Sequence, residues 1–205
     1  MAASVICVSR ALGAGGEDIA RLTSERLSYA YVDEEIIARA AARGEIHPET
    51  VADEERRKSL MANLLAAMAQ GGPGFGAPPV EIVSNEPSSA EVRSFIRDAI
   101  EEVAGKGKAV IVAHAASHAL GSGSGALRVL ITASPETRAA RLAEAEVLDR
   151  SEAEKALKSS DAARADYLKR FYETKELPTD YDLVLNTDAL SVERAADLIV
   201  CAAGQ

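Results

Sequence analysis

The chain has 205 residues, of which 47% are hydrophobic and 27% are charged. This length and balance are typical of one compact domain, or of one domain with an inserted lobe, and exclude a disordered or fibrous chain. The formal net charge of −9 argues against a general nucleic-acid binder, and an aromatic content of 4% without Trp argues against a stacking platform for single strands.

Two cysteines, Cys7 and Cys201, lie in apolar runs near opposite ends of the sequence. Neither has a CxxC partner or a neighbouring histidine, so we expect both to be buried free thiols in a reducing compartment. No apolar run approaches the roughly 20 residues that are needed to cross a bilayer. We therefore expect a soluble, cytoplasmic protein without nucleic-acid or membrane partners, and the composition leaves the oligomeric state open.

The beginning of the sequence has the pattern of a strand, a glycine-rich turn and a helix. Residues 4–8 (SVICV) form a continuous apolar run, which is typical of a central strand covered on both faces. Gly13-Ala14-Gly15-Gly16 follows, and a helical spacing of apolar residues begins at Ile19. Backbone amides at such a helix start attract phosphate, although a tight turn that binds nothing has the same pattern.

The glycine turn departs from a full Walker A motif, G-x-x-x-x-G-K-[ST]. With Gly15 as the second glycine, Gly16 stands at the lysine position and Glu17 at the hydroxyl position. Glu17 and the following Asp18 are unfavourable beside an anion unless they point away or meet magnesium. A cation must come from elsewhere, and Arg10 is the nearest candidate.

The rest of the chain alternates strands and helices. Apolar runs predict strands at 29–32, 108–113, 128–132 and 182–186. Periodicity and capping signals predict helices at 34–43, within 49–70, from the Ser88–Glu91 capping box to about 103, from Ser134-Pro135, from the Ser151–Glu154 capping box to about 172, and from Ser191 to about 202. About five continuously apolar strands separated by helices predict an α/β fold, with a parallel sheet and helices on both faces.

Two segments interrupt this alternation. Residues 43–79 are too long for a plain crossover, and we interpret residues 43–87 as a helical lobe inserted into a single domain that spans 1–205. The lobe is expected over the carboxyl ends of the strands, where open α/β sheets bind ligands. Residues 114–125 form a Gly/Ser-rich connection between two of the predicted strands.

Several segments together match the pattern of one known family. They are residues 9–16 (SRALGAGG), 31–37, 133–138, Arg141, the spacing Asp161-x-x-Arg164-x-x-Tyr167, and residues 181–187. In this combination the chain resembles the cytidylate kinase-like proteins of the P-loop nucleoside monophosphate kinase group. The resemblance covers nearly the whole chain and is weakest at 43–87. It implies a three-layer P-loop kinase fold with a short lid at about residues 145–150.

The chain departs from this family at two positions. Glu17 stands where the family usually has an Arg, and Ala113-His114-Ala115 stands where it usually has Gly-Arg-Gly at the monophosphate site. Both changes remove a fixed positive charge near bound phosphate. They predict a weak enzyme or none, unless other arginines compensate.

The resemblance implies ATP- and Mg²⁺-dependent phosphoryl transfer to CMP or dCMP, with small-molecule nucleotides as partners. It assigns catalytic roles to Arg10, Arg138, Arg141 and Arg164, which would neutralise developing charge, and to Asp161, which would orient an arginine. The donor phosphates would lie at Gly13, Ala14, Gly15, Gly16 and Glu17. Spacing alone favours solvated, ion-paired helix faces for these three helix arginines, and the functional role comes from the resemblance.

The acceptor is expected near Asp33 and His114. Asp33 ends the second predicted strand, where a carboxylate could orient a nucleotide or a magnesium-bound water, or equally cap the helix at Glu34. His114 takes the place of the family's monophosphate arginine. His114 and His118 lie four apart, but no third ligand is evident, so we predict no protein metal site there.

Two rival functions fit the same residues. The lost charges at Glu17 and His114 also suit a nucleotide- or anion-binding regulatory module that has kept the fold and lost phosphoryl transfer. A kinase that acts on another small acceptor is the second rival, because the resemblance defines the donor site better than the acceptor site.

Overall fold

The computed structural model describes residues 2–33, 89–113 and 116–204. In these residues five strands form one parallel sheet in the order β2-β3-β1-β4-β5. They are β1 (Val5–Arg10), β2 (Ala30–Asp33), β3 (Ala109–Val112), β4 (Leu127–Thr132) and β5 (Leu183–Asn186). The predicted parallel sheet is therefore confirmed, and the carboxyl ends of all five strands lie at one edge.

The described part of the chain also contains six α-helices. They are α1 (Gly16–Leu27), α2 (Ser89–Lys106), α3 (Ala116–Leu120), α4 (Pro135–Glu146), α5 (Arg150–Tyr172) and α6 (Val192–Ala202). A 3-10 turn at Pro178–Asp180 precedes β5. Among these helices, none combines the length and the apolar character that a membrane span requires.

The sheet separates two hydrophobic cores, because successive side chains of a strand point to opposite faces. On one face Cys7 of β1 packs in a cluster with Ile100 of α2. On the other face Val8 of β1 packs in a cluster with Ile19 of α1 and Ile199 of α6. Helices therefore cover both faces, which confirms the three-layer α/β architecture.

Helices α4 and α5 pack against each other beside the glycine loop. Ala139 and Leu142 of α4 contact Ala153 and Leu157 of α5 in a small apolar cluster. The segment predicted as a lid, residues 145–150, contains the turn between these two helices. Arg138 of α4 reaches from this pair to the glycine loop, where its Nε donates to the carbonyl oxygen of Leu12.

Two local predictions are wrong, and one short helix was not predicted. Helix α5 begins with the capping box Asp149–Glu152 instead of Ser151–Glu154, because the overlapping Asp-x-x-Glu pattern lets the helix start earlier. The Gly/Ser-rich connection contains the short helix α3. Cys201 is exposed on α6, whereas Cys7 is buried as predicted, and burial raises the pKa of Cys7 to about 12.

Several predicted features lie outside the described residues. They are the helix at 34–43, the inserted lobe at 43–87, Ser88 of its predicted capping box, and His114.

Candidate functional site

The loop between β1 and α1 has the geometry of an anion site. Gly13 and Gly15 have φ angles of 77° and 74°, in the left-handed region that favours glycine. Gly15 is the N-cap of α1, and no side chain caps this helix. Within the described ranges, the amides of Gly13, Gly15 and Gly16 donate to no backbone carbonyl. Free amides and the helix dipole together attract phosphate.

The loop lines a cleft of about 630 Å³, a volume suited to a nucleotide. Besides the loop, the cleft is lined by Arg10 of β1, Glu17 and Asp18 of α1, Arg141 and Glu144 of α4, and Ser160 of α5. Residues from three helices and a strand end therefore converge on the loop, with two arginines among them.

Arg10 crosses the beginning of α1. A Cβ atom on Gly16 would lie 2.5 Å from Cβ of Arg10, so no side chain fits at position 16 while Arg10 takes this path. Nε and Nη2 of Arg10 donate to Oε1 of Glu17 at 3.1 and 2.6 Å. The side chain of Arg10 therefore occupies the space in which the Walker A lysine side chain would begin at position 16. Its charge also neutralises the carboxylate of Glu17.

Arg138 is a buried link between the loop and α5. Only 6% of Arg138 is exposed. Its Nε donates to the carbonyl oxygen of Leu12 at 2.7 Å, and its Nη1 and Nη2 donate to the two carboxylate oxygens of Asp161 at 3.0 and 2.7 Å. All three nitrogens thus contact protein oxygens, and in this arrangement Arg138 holds the loop and its charge is compensated by Asp161.

Arg141 lies in the cleft, one helical turn beyond Arg138. Its Nη1 donates to Oγ1 of Thr187 at 2.9 Å, and its Nη2 donates to the carbonyl oxygen of Thr187 at 2.8 Å. Thr187 follows β5, is 3% exposed, and donates its hydroxyl to the carbonyl oxygen of Ala14 at 2.9 Å. Arg141 is therefore connected to the glycine loop through a single buried residue.

Arg164 belongs to a second, buried polar group at the end of β1. Its Nη1 donates to the carbonyl oxygen of Arg10, and its Nη2 donates to Glu176. The same carboxylate of Glu176 accepts the hydroxyl of Tyr181. Burial and this hydrogen bond raise the pKa of Tyr181, so Tyr181 stays protonated at neutral pH.

His118 of α3 borders this buried group. Its ring centroid lies 5.5 Å from that of Tyr172, and its Nε2 lies 3.9 Å from Oδ2 of Asp180. Burial lowers the pKa of His118. Both ring nitrogens, the hydroxyl of Ser117 and Nε of Arg164 are buried without a hydrogen-bond partner among the described residues. Such groups cost about 1–3 kcal/mol each unless a ligand or water meets them.

The structure brings most of the predicted site residues to one edge of the sheet. The cleft is lined by Arg10, Gly13, Gly15, Gly16, Glu17 and Arg141, while Arg138, Asp161 and Arg164 brace the loop from its sides. The predicted phosphate contact at Ala14 does not lie in the cleft, because Ala14 is buried and its amide donates to the carbonyl oxygen of Ala11. Asp33 ends β2, which is separated from β1 by β3. Sequence reasoning missed the role of Thr187. It lies in the matched segment 181–187, but one threonine after a strand carries no signal of its own.

The parallel strand order β2-β3-β1-β4-β5, with a glycine loop between β1 and α1, places the protein in the P-loop kinase fold class, although the loop lacks the Walker A lysine. Within this class the chain belongs to the cytidylate kinase-like family, whose family model matches residues 5–189. The resemblance seen in the sequence is thereby confirmed, and family membership supports a nucleotide-kinase-like function.

Solved structures with low sequence identity share this fold. An uncharacterized protein from Eubacterium ventriosum ATCC 27560 matches with a TM-score of 0.68 and 18% identity, over 98% of both chains. Shikimate kinase from Bacteroides thetaiotaomicron has a TM-score of 0.55 and 13% identity, and TT1252 from Thermus thermophilus has 0.55 and 17%, each over 98% of both chains. No curated protein matches the chain. At these identities the likeness establishes the fold alone.

Proposed function

We propose that this protein transfers the terminal phosphoryl group of ATP to a pyrimidine nucleoside monophosphate, CMP or dCMP. The observation that carries the proposal is the glycine loop, because its free amides lie in one cleft with Arg10 and Arg141. Membership of the cytidylate kinase-like family supports a nucleotide substrate. The choice of a pyrimidine rests on the sequence resemblance.

The donor triphosphate would bind along the loop, with its β-phosphate on the amides of Gly13, Gly15 and Gly16. Arg10 and Arg141 would meet the phosphate charge from the two sides of the cleft. An acceptor phosphate oxygen would attack the γ-phosphorus while the bond to the bridging oxygen of ADP breaks. The chain's contribution would be positioning and charge compensation, without a covalent intermediate.

A magnesium ion fits this cleft as a companion of the nucleotide. In kinase sites Mg²⁺ is held by one or two carboxylates, water and substrate phosphates. Glu17 and Asp18 both line the cleft in the first turn of α1, and they would hold the ion directly or through water. Within the described residues no three acidic, His or Cys side chains converge as a separate metal site. Bound Mg²⁺ would neutralise charge on the transferred phosphoryl group.

The acceptor would lie at the carboxyl ends of β1 to β3. The support is the buried polar group around Arg164 and His118, whose unpartnered atoms a polar ligand could satisfy. Asp33 at the end of β2 would face the same region from its outer side. His114 remains a prediction for the monophosphate contact.

The Arg10–Glu17 ion pair favours a second candidate function, a nucleotide-binding regulatory module. The cation that takes the place of the Walker A lysine is already paired with a carboxylate at 2.6 Å. A site neutralised in this way could bind ATP without transferring its phosphate.

An assay of ADP release, run beside calorimetric ATP binding, separates these functions. MgATP is offered with CMP, dCMP, UMP, AMP, GMP or shikimate, the last because one fold neighbour is a shikimate kinase. We expect the highest kcat/KM with CMP or dCMP, and weaker ATP binding in Arg10→Ala but not in the control Arg26→Ala, whose side chain bonds Asp197 on α6. Binding without turnover would favour the regulatory module, and absence of ATP binding would contradict both functions.

A further inference from the structure

Four arginines surround the glycine loop, and three of them are neutralised by a carboxylate. Arg10 pairs with Glu17, Arg138 with Asp161, and Arg164 with Glu176. Arg141 differs in its surroundings. In the described part of the chain its guanidinium contacts the hydroxyl and carbonyl oxygens of Thr187 and no carboxylate.

The surroundings of Thr187 determine the direction of its hydrogen bonds. Its amide donates to the carbonyl oxygen of Thr132 at 2.8 Å, which ties the residue to the end of β4. Because Arg141 can only donate, Oγ1 of Thr187 accepts from Nη1 of Arg141 and has one proton left to give. That proton goes to the carbonyl oxygen of Ala14 at 2.9 Å, in preference to that of Thr132 at 3.3 Å.

We propose that Thr187 is a positioning residue of the nucleotide site, acting on the phosphate through Arg141 and through the glycine loop. This inference rests on the proposed function. Two neutral oxygens fix the guanidinium in the cleft without cancelling its charge, so the charge is available to a bound phosphate. The same hydroxyl draws the carbonyl of Ala14 back toward β5, and a carbonyl turned into the cleft would repel an anion.

The first test needs no nucleotide. The amide of Ala14 donates to the carbonyl oxygen of Ala11 at 3.0 Å, so its hydrogen exchange reports opening of the loop. In the unliganded protein, NMR exchange should be about tenfold faster in Thr187→Val than in wild type, as expected for loss of one buried hydrogen bond. Thr187→Ser keeps the hydroxyl and should restore slow exchange.

A matched control separates this effect from the loss of any buried threonine hydroxyl. Thr23 of α1 is fully buried, and its hydroxyl donates to the carbonyl oxygen of Ile19 at 2.7 Å. Thr23→Val should lower stability but leave the exchange of Ala14 and the affinity for ATP unchanged. Unfolding by urea is measured for every variant.

The second test measures ATP affinity in a double-mutant cycle. Thr187→Val should weaken ATP binding by about tenfold and Thr187→Ser by less than about twofold, because the serine hydroxyl keeps both contacts. In an Arg141→Ala background Thr187→Val should have a clearly smaller effect, because residues that act through each other are not additive.

Each outcome decides the inference. If the amide hydrogen exchange of Ala14 is unchanged in Thr187→Val, the inference is overturned, whatever the effect of this substitution on ATP affinity. The inference would also be overturned if Thr187→Val and Thr187→Ser weakened ATP binding equally. Full additivity of Thr187→Val with Arg141→Ala would overturn it too, because Thr187 would then contribute only packing. If wild type binds no ATP, the proposed function fails, while the exchange measurement still decides whether Thr187 holds the loop.

Discussion

Gly13 lies directly against the backbone of Arg138. A Cβ atom on Gly13 would stand 2.6 Å from the carbonyl oxygen of Arg138, closer than real Cβ atoms approach backbone atoms. The side chain of Arg138 meanwhile bonds the carbonyl of Leu12, the residue just before. The first turn of α4 and the glycine loop therefore fit each other through both backbone and side chain.

This contact predicts a large effect of Gly13→Ala. The new methyl group would meet a carbonyl oxygen and would also stand at a φ of 77°, so we expect a loss of about 3 kcal/mol in the free energy of unfolding. Gly15→Ala is the matched control, since Gly15 has a φ of 74° and a Cβ atom added there would meet no non-neighbouring atom within 4 Å. It should lose about 1 kcal/mol. Equal losses in urea unfolding would show that the contact with Arg138 is relaxed in solution.

Because Arg138 is held by Asp161 in a bidentate pair, we expect substitution of Arg138 to lower the stability of the protein more directly than its catalytic rate. Arg138→Ala leaves the Leu12 carbonyl without its donor, and we expect it to cost about 2 kcal/mol of stability. Arg150→Ala is the control. Arg150 forms an exposed i,i+4 pair with Glu154, which should contribute less than about 0.5 kcal/mol. A variant of Arg138 with wild-type stability and a strongly reduced kcat would instead assign its charge to the transferred phosphoryl group.

We expect the affinity for nucleotide to increase when the negative charge of Glu17 is removed. Glu17→Gln removes one carboxylate that pairs with Arg10 and takes a negative charge from the cleft, so ATP without metal should bind about threefold to tenfold more tightly at low salt. The gain should shrink as salt rises. Glu25→Gln, at the exposed far end of α1, should change nothing. Tighter binding of free ATP together with weaker binding of MgATP would assign Glu17 to the metal.

We expect protonation of His118 to lower the stability of the protein in mild acid. Burial outweighs the nearby Asp180 and Glu176, and Arg164 and Arg128 add to it, so the pKa of His118 is lower in the folded protein than in the unfolded chain. Below about pH 6.5 the unfolded chain therefore binds more protons, and the free energy of unfolding falls with pH until the folded pKa is reached. Above about pH 7 this contribution is fully present.

The measurement for His118 is a pH series of urea unfolding between pH 8 and pH 5. The slope below pH 6.5 should be smaller in His118→Gln than in wild type, because glutamine does not titrate. Identical slopes in the two proteins would mean that His118 is solvated and protonates in the folded state.

The order of strands and helices could be predicted because its signals are local. Continuous apolar runs indicated buried parallel strands, and Ser134 and Ser191 cap α4 and α6 as their sequence positions suggested. Local signals fail where two overlap. Residues 149–154 contain two overlapping capping patterns, and α5 uses the earlier one, Asp149–Glu152.

The sequence by itself determined that a glycine loop follows the first strand, because chain order and glycine content require no tertiary contact. It also placed Arg138 and Arg141 on one helix face, where their local signals are equivalent. Only the tertiary structure decided that they differ. Arg138 meets Asp161, 23 residues away on α5, and is neutralised, whereas Arg141 meets Thr187, 46 residues away after β5, and keeps its charge. The partner of each arginine depends on how distant elements pack, and no spacing along the chain contains that information.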